Sequence, residues 1–264
     1  IEKIMIVVTG GAGFIGSAVV WKLNQMGMDK ITIVDELGKE EKWKNLNGLK
    51  FADFFHKDDF MGLVLQRKFP FKVSSVIHLG ACSSTTEKDA DFLMYNNVHY
   101  SQELAKFCLE NGVRFIYASS AATYGDGSNG YNDDESKLDQ LRPLNMYGYS
   151  KQLFDIWIKR NGLMDKVVGL KYFNVYGPNE YHKDEMRSVV HKAFEQVRDT
   201  GKVRLFKSYK EDYKDGEQQR DFIYVKDAVD MTLFFLEHPD KNGIFNVGTG
   251  HAATWIELVT ALFD

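Results

Sequence analysis

Three side chains near the middle of the chain have the types and spacing for acid–base work on a hydroxyl group. Tyr147 and Lys151 are four residues apart, so on a helix both side chains lie on one face. A tyrosine with its ordinary pKa of about 10 is a poor base at neutral pH, but a nearby ammonium favours the phenolate and lowers that pKa. Ser120 ends an apolar stretch and can hydrogen-bond the same hydroxyl. The three residues predict a site in which Tyr147 removes a hydroxyl proton.

A second pattern, near the N-terminus, is typical of a turn that binds phosphate. The apolar stretch Ile4–Thr9 has the character of a buried strand, and apolar residues at helical spacing start at Phe14. Four glycines follow the strand: Gly10, Gly11, Gly13 and Gly16. Such glycines allow a tight turn, a close approach of the backbone to a pyrophosphate, and close packing of helix on strand. Because free N–H groups at the helix start then face the phosphates, the stretch predicts a dinucleotide-binding turn.

The acid that ends the second predicted strand bears on which dinucleotide is bound. Asp35 comes directly after that strand, where an acid accepts a hydrogen bond from the ribose 2′-hydroxyl and favours NAD. Lys39, Lys42 and Lys44 follow in the same loop and can neutralise the 2′-phosphate of NADP. These residues alone leave NAD and NADP open. With either cofactor, the nicotinamide ring adds positive charge beside the tyrosine and takes the hydride as the hydroxyl proton is removed.

Strand-like and helical stretches alternate through the first two thirds of the chain. After the first strand, the predicted strands are residues 30–34, 49–52, 73–79, 113–119 and 167–173. Helical patterns separate them, among them one from about 58 to 68, one over 95–110, and one that begins at Tyr147. This alternation predicts an α/β fold with a doubly wound parallel sheet of the Rossmann type.

Beyond residue 173 the alternation loosens. We expect a break at 174–178, a helix over 185–199, an extended segment at 203–206, a charged loop at 207–220 and a last helix beginning near 254. The chain is therefore predicted to form a Rossmann domain over residues 1–173, with elements returning around 221–247. A smaller substrate-binding lobe is expected over most of residues 174–264.

Composition narrows the classes of function. A net charge of −4 gives no reason to expect nucleic acid, and the longest apolar runs are too short to span a bilayer. Ile1 leads almost directly into the first strand, so no signal peptide is expected. Cys82 and Cys108 lack metal-ligand spacing, which predicts no metal site and a reducing, cytoplasmic setting. We interpret Cys82 as a small loop residue and His78 as a hydrogen-bonded core residue rather than as catalytic groups.

Five motifs together resemble the extended short-chain dehydrogenase/reductase family, also described as the NAD-dependent epimerase/dehydratase family. They are Thr-Gly-Gly-Ala-Gly-Phe-Ile-Gly at 9–16, Ser-Ser at 119–120, Tyr-x-x-x-Lys at 147–151, Asn-Val-Tyr-Gly-Pro at 174–178 and Arg-Asp-Phe at 220–222. The resemblance covers essentially the whole chain. It implies a nucleotide-sugar substrate and a family chain that continues past residue 264. We also expect a homo-oligomer.

Within this family, four stretches are similar to the epimerases of ADP-linked heptoses: residues 80–87, 118–125, 172–178 and 182–183. This similarity implies that tightly held NADP oxidises the sugar at C6″ and returns the hydride to the other face of the ketone. It also implies two acid/base residues on opposite sides of the sugar, Tyr147 and Lys183. Lys42 matches a position beside the ribose, which favours NADP over NAD. Asp184 and Glu185 depart from the small or hydroxylic residues common after such a lysine.

The same resemblance assigns the remaining site residues. Cofactor contacts besides the four glycines are expected at Phe14, Ile15, Asp35, Glu36, Lys42, Lys57, Leu79, Gly80, Ala81, Cys82, Ser83, Asn96, Tyr147, Lys151, Val175 and Lys183. Lys151 is expected to hold the nicotinamide ribose. Substrate contacts are expected at Ser120, Asn174, Phe206 and Arg220.

Three other functions stay open at this point. A UDP-hexose 4-epimerase that uses NAD needs only Ser120, Tyr147 and Lys151 for its one-base chemistry. A dehydratase needs an acid–acid pair near the strand-end serine, where this chain has Ala121 and Ala122. A protein that merely senses the cofactor usually lacks the intact catalytic set.

Overall fold

A seven-stranded sheet forms the centre of the computed structural model, which describes residues 4–209, 211 and 213–263. The strands of the chain are β1 (Ile4–Thr9), β2 (Ile31–Asp35), β3 (Asp53–His56), β4 (Lys72–His78), β5 (Arg114–Ser120), β6 (Val168–Tyr172), β7 (Asn174–Tyr176), β8 (Gln219–Tyr224), β9 (Gly243–Val247) and β10 (Ala252–Thr254). The central sheet has the order β3-β2-β1-β4-β5-β6-β9, and all its neighbouring strands are parallel. The predicted doubly wound α/β fold is confirmed.

Helices cover both faces of this sheet. In the described residues the α-helices are α1 (Phe14–Gln25), α2 (Lys57–Gln66), α3 (Ala90–Leu93), α4 (Tyr100–Glu110), α5 (Met146–Arg160), α6 (Val189–Thr200), α7 (Val225–Glu237) and α8 (Trp255–Thr260), of which α1, α2, α4, α5 and α7 pack on the central sheet. Successive residues of a strand point to opposite faces, so Val7 packs toward α2, α4 and α5 while Val8 packs toward α1 and α7. Both side chains are fully buried, and each such burial contributes about 1.5–3 kcal/mol.

The strand order reverses between β1 and β4, and this reversal positions the site. One half of the sheet runs outward from β1 and the other outward from β4, so their connections leave the sheet in opposite directions. In such sheets a crevice opens at the carboxyl ends of the two central strands, where ligands bind. The glycine-rich turn follows β1, and the segment from Leu79 to Ser84 follows β4.

A small second sheet has the order β10-β8-β7. The predicted break at 174–178 is wrong for its first three residues, because they form β7 and pair in parallel with β8. The chain changes sheets at Phe173, whose N–H still donates to the carbonyl of Val247 in β9. Helices α6 and α8 lie against each other beside this sheet.

Several predicted boundaries are wrong. The third strand is β3, not residues 49–52, because Leu49 and Phe51 pack beneath α1 while Asp53 takes the place opposite Thr32. The helix expected over 185–199 begins at Val189, after the N-cap Ser188 accepts a hydrogen bond from the N–H of His191.

Other boundaries differ in smaller ways. The helix expected from residue 95 starts at α3 and passes through a π-helix, Met94–His99, into α4. Residues 203–206 form no regular strand, and the loop expected over 207–220 ends where β8 begins. Residues 210 and 212 of that loop lie outside the described residues. The last helix begins at Trp255, as predicted, behind a capping box at Thr254.

Within the described ranges, no helix combines the length and the apolar character needed to cross a membrane. The His, Cys, Asp and Glu side chains of the same ranges form no group of three or more that could hold a metal ion.

Candidate active site

A cleft of about 560 Å³ opens at the carboxyl ends of β1 and β4. It brings together most of the residues that the sequence analysis assigns to the cofactor. They are Gly10, Gly13, Phe14, Ile15, Gly16, Asp35, Glu36, Lys42, Lys57, Leu79, Gly80, Ala81, Cys82, Ser83, Asn96, Tyr147, Lys151 and Lys183. The size of the cleft suits a nucleotide ligand.

The glycine-rich turn leaves open backbone at the cleft. Gly10 has φ +69°, and a Cβ there would lie 2.8 Å from the backbone nitrogen of Gly80. A Cβ at Gly16 would collide with the carbonyl oxygen of Gly10, so α1 packs directly on the turn. Gly13 is the N-cap of α1 and offers no side chain to the first helical N–H groups. These groups are therefore free to bind phosphate, and the turn fits the pyrophosphate of a dinucleotide.

Asp35 is held by three donors at the end of β2. It is 6% exposed, and it accepts hydrogen bonds from the N–H groups of Ala12, at 2.8 Å, and Glu36, at 2.7 Å. The Lys42 ammonium lies 2.5 Å from the same carboxylate. The acid that favours NAD and the lysine that favours NADP are therefore paired with each other, so the pairing alone does not choose between the two cofactors.

A second lysine lies beside this group. Lys57 forms ion pairs with Glu36, at 3.4 Å, and Asp58, at 3.3 Å. Burial lowers the pKa of Lys57, but the two carboxylates outweigh it, so the pKa is raised above its ordinary value. Lys57 therefore keeps its positive charge at the mouth of the cleft.

Helix α5 carries Tyr147 and Lys151 into the cleft. The side chain of Asn145 caps the helix by accepting from the N–H of Gly148 at 2.8 Å, which fixes where the first turn begins. Tyr147 is half-buried and hydrogen-bonds the side chain of Ser120. Lys151 is 6% exposed and donates to the carbonyl of Ala118 in β5 at 2.8 Å. The predicted catalytic residues are thus assembled from α5 and the end of β5.

The pKa values of these residues are set chiefly by burial. Burial raises the pKa of Tyr147, and the hydrogen bond with Ser120 offsets part of this. The lowering expected from Lys151 is not seen. Burial lowers the pKa of Lys151 to about 8, against the opposing effect of Asp155 and Cys82. Lys151 is therefore mostly an ammonium at neutral pH, with its charge close to loss.

Lys183 reaches the same cleft from a separate segment, the 3-10 helix Tyr181–Met186. Its ammonium lies 5.3 Å from the centre of the Phe14 ring, an arrangement typical of a cation–π contact. Burial lowers the pKa of Lys183, with Glu180 opposing. Asp184 has φ +43°, a strained conformation for a non-glycine residue, directly after the lysine.

The predicted residues that do not line the cleft lie in three places. Gly11 is buried behind the turn, where a Cβ would lie 2.9 Å from Ile33, and Val175 packs into the core. Ser120 is half-buried, and its side chain interacts with Tyr147. Asn174, Phe206 and Arg220 are exposed at the second sheet and its loop, and Phe206 has 60% of its surface exposed. Gly11 and Val175 are not among the residues that line the cleft, and their assignment to the cofactor stays a prediction.

Sequence reasoning missed two residues that join separate parts of the site. Asn97, in the π-helix, accepts from the N–H of Cys82 at 2.9 Å and donates to its carbonyl at 3.0 Å, and so holds the loop after β4. Asn45 donates to the carbonyl of Ala12 at 3.0 Å and lies 3.2 Å from His182, which links the glycine-rich turn to the Lys183 segment. Neither asparagine has a local pattern that distinguishes it from a surface residue.

It also missed a buried charged pair, Asp155 and Lys171. A signal for this pair was present, because an acid follows Lys151 by four residues on an apolar helix and a lysine interrupts an apolar strand. His78 is buried and hydrogen-bonded, as predicted: Thr9 lies 2.6 Å from its Nδ1 and Ser101 lies 2.9 Å from its Nε2.

The chain is similar to proteins of known activity. It is 59% identical over 259 residues to the ADP-L-glycero-D-manno-heptose-6-epimerase of Nitratidesulfovibrio vulgaris. The matched residues are 98% of this chain and 80% of that protein. The crystal structure of the Helicobacter pylori ADP-L-glycero-D-manno-heptose-6-epimerase matches it with a TM-score of 0.84 and 29% identity, over 99% of this chain and 81% of that one.

A third similarity is to a different epimerase. The Thermus thermophilus UDP-glucose 4-epimerase, solved in complex with NAD, matches with a TM-score of 0.75 and 29% identity, over 98% of this chain and 82% of that one. The model of the NAD dependent epimerase/dehydratase family matches residues 6–248. The resemblance predicted from the motifs is confirmed, and the chain belongs to the NAD dependent epimerase/dehydratase family.

Proposed function

We propose that this protein is an isomerase that interconverts ADP-D-glycero-D-manno-heptose and ADP-L-glycero-D-manno-heptose. The observation that carries the proposal is the presence of Lys183 in the same cleft as Tyr147 and Lys151. Epimerisation through a ketone needs a proton transfer on each side of the sugar carbon, and one tyrosine serves only one side. The identity of 59% to an enzyme with this activity supports the same substrate.

The cofactor of the proposed reaction is a nicotinamide dinucleotide, and we propose NADP. When bound, the cofactor supplies the acceptor and the donor of hydride. Lys42 and Lys57 both line the cleft beside Asp35 and Glu36, which supports binding of a 2′-phosphate by charge. The uncapped start of α1 would hold the pyrophosphate.

Tyr147 removes the proton from the 6″-hydroxyl as C6″ becomes a ketone. Ser120, which hydrogen-bonds Tyr147, orients the hydroxyl toward it. Lys151, held by the Ala118 carbonyl, keeps a positive charge beside the phenol and binds the nicotinamide ribose. Because burial raises the pKa of Tyr147, the positive charges of Lys151 and of the oxidised nicotinamide ring are needed to favour the phenolate of Tyr147.

Lys183 acts on the opposite side of the sugar. When C6″ is reduced from its other face, the ketone oxygen accepts a proton from the Lys183 ammonium and the epimeric hydroxyl forms. In the reverse direction the neutral amine of Lys183 takes that proton back. Burial lowers the pKa of Lys183 and therefore increases the fraction of the residue that is a neutral amine. Asn174, Phe206 and Arg220 would contact the rest of the substrate from the smaller, C-terminal lobe.

Two further points follow from the proposed activity. Cys82 and Cys108 are both unpaired in the structure, and unpaired cysteines are typical of a reducing compartment, which supports a cytoplasmic enzyme. A homo-oligomer stays a prediction, and sedimentation of the purified protein tests it.

The direct test supplies the purified protein with each substrate in turn and follows the products by NMR. We expect ADP-D-glycero-D-manno-heptose to reach an equilibrium mixture of its C6″ epimers, while UDP-glucose stays unchanged. Conversion of UDP-glucose to UDP-galactose, with no change in the heptose, would replace the proposal with the NAD-dependent 4-epimerase. Formation of a stable keto sugar with release of water would indicate a dehydratase.

A further inference from the structure

A buried ion pair lies directly behind the proposed catalytic residues. Asp155 of α5 and Lys171 of β6 are 2.8 Å apart, and neither side chain is exposed at all. Asp155 follows Lys151 by four residues, so it lies one helical turn further along the same face of α5. Lys171 extends beneath the end of β5, its ammonium 5.1 Å from the centre of the Tyr124 ring.

The pair holds both sides of the end of β5. Asp155 accepts hydrogen bonds from the hydroxyl of Tyr117 at 3.0 Å and from the hydroxyl of Ser119 at 2.7 Å. These two residues flank Ala118, whose carbonyl binds Lys151. The contacts of Asp155 therefore fix the acceptor to which Lys151 is attached.

Lys171 holds Ser120, at the end of β5, through the side chain of Thr123. It donates to the hydroxyl of Thr123 at 2.7 Å, and that hydroxyl donates to the carbonyl of Ser120 at 2.8 Å. Ser120 is the residue that hydrogen-bonds Tyr147. Hydrogen bonds thus run from the ion pair to the carbonyl of Ser120 and to the side-chain hydroxyls of the two residues that flank Ala118.

Packing alone does not explain two charges at this position. Removing ions from water is costly, and a well-packed apolar pair of similar volume is often as stable or more stable than a buried ion pair. Rigid support of a catalytic group, in contrast, needs directional hydrogen bonds of the kind that this pair makes.

We propose, on the basis of the function proposed above, that Asp155 and Lys171 are positioning residues. They hold the end of β5 so that Ser120 and Ala118 meet Tyr147 and Lys151, and the Asp155 carboxylate stabilises the charge of the Lys151 ammonium.

The charged groups around Lys151 support the proposal that Asp155 stabilises the Lys151 ammonium. Asp155 of α5 and Cys82 from the loop after β4 act on the Lys151 charge, and His78 of β4 is affected by it. Tyr147 lies four residues before Lys151 on α5, and the positive Lys171 is paired with Asp155. Burial, and then the Lys151 charge, lower the pKa of His78 to about 3, so His78 is neutral. Burial keeps Tyr147 protonated in the free enzyme. Asp155 is the first of the groups that oppose the effect of burial on Lys151.

The sign of the expected effect follows. Burial lowers the pKa of Lys151 to about 8, and Asp155 raises it from a still lower value. Activity that needs the ammonium is lost as the pH rises through that pKa, and kcat/KM reports the free enzyme. Removing the Asp155 charge should therefore move the alkaline limb of kcat/KM to lower pH, by about one unit.

The test measures kcat/KM against pH for the wild type, Asp155→Asn and the double variant Asp155→Leu/Lys171→Met. Asp155→Asn leaves Lys171 buried without a partner and can fail to fold, whereas the double variant removes both charges at similar volume and should stay folded. We expect the alkaline limb to move down by about one pH unit in Asp155→Asn and by less in the double variant, which also removes the positive charge of Lys171. In each folded variant kcat should fall on the order of tenfold as the strand end loosens.

Glu110→Gln is the matched control, since Glu110 forms an exposed ion pair with Arg67 far from the cleft. It should leave the pH profile unchanged. Thermal unfolding of every variant is measured in parallel. A double variant that loses stability but keeps the wild-type limb and kcat would overturn the inference. A wild-type protein that does not epimerise the heptose would instead overturn the proposed function.

Discussion

The cofactor side of the cleft and the expected substrate region at the small sheet are formed by different kinds of groups. On the cofactor side, the glycine-rich turn and Asp35 offer backbone N–H groups and a buried, fully hydrogen-bonded carboxylate, all fixed by β1, α1 and β2. On the expected substrate side, Phe206 and Arg220 are exposed side chains at the small sheet and its loop. A binding surface made of backbone depends on local geometry, whereas one made of exposed side chains depends on how distant segments meet.

Tyr147→Phe should cause the largest loss. It keeps the ring and removes the hydroxyl that bonds Ser120, so folding and cofactor binding should persist while kcat falls about 10²–10⁴-fold. Tyr149→Phe is the control, because Tyr149 is exposed on the other side of α5. Steady-state kinetics check this, and a Tyr147→Phe enzyme within threefold of the wild type is incompatible with its role.

Gly10→Ala should disrupt the cofactor side through the backbone. An alanine at positive φ costs about 1–2 kcal/mol, and here its Cβ would also press on the backbone of Gly80, adding about 1–3 kcal/mol. Gly27→Ala is a matched control, because Gly27 has φ +78° but open space around it. Chemical denaturation and retained cofactor are measured together. Equal stability and equal cofactor content in the two variants would contradict the close packing of the turn.

Lys42→Ala should have the smallest effect and a specific one. Without the ammonium, the carboxylate of Asp35 repels a 2′-phosphate and is free to accept from a ribose 2′-hydroxyl. The preference for NADP over NAD should then narrow by about tenfold, as expected when one charge-assisted contact is lost. Lys44→Ala, which breaks only an exposed pair with Glu41, is the control. The nucleotide released on denaturing the purified wild type is identified as a further check. If only NAD is found, the proposal that the cofactor is NADP is wrong.

The difference between the two sides also decides what the sequence could predict. The turn at Gly10, the acid at Asp35 and the pair Tyr147 and Lys151 follow from local spacing, and the structure brings them together in one cleft. The ion pair between Asp155 and Lys171 joins residues from two elements, so the sequence marks each charge as unusual but does not specify that the two meet.

Errors in the predicted elements have the same origin. Residues 49–52 have strand-like character, but pairing with β2 selects the next four residues instead. Residues 174–176 resemble a turn, yet β8, more than forty residues later, makes them a strand. Both outcomes depend on tertiary partners, which override local propensity.

Lys183→Met tests the two-base mechanism most directly, because it keeps the side-chain stem over the Phe14 ring and removes the ammonium. Lys192→Met, which breaks an exposed pair with Glu185, is the control. With ADP-D-glycero-D-manno-heptose, we expect the Lys183→Met enzyme to bind substrate and oxidise it on the Tyr147 side, seen as reduction of the bound cofactor, while formation of the epimer is lost. If substrate affinity collapses and the residual turnover still forms both epimers in balance, Lys183 is a binding charge and the two-base mechanism is wrong.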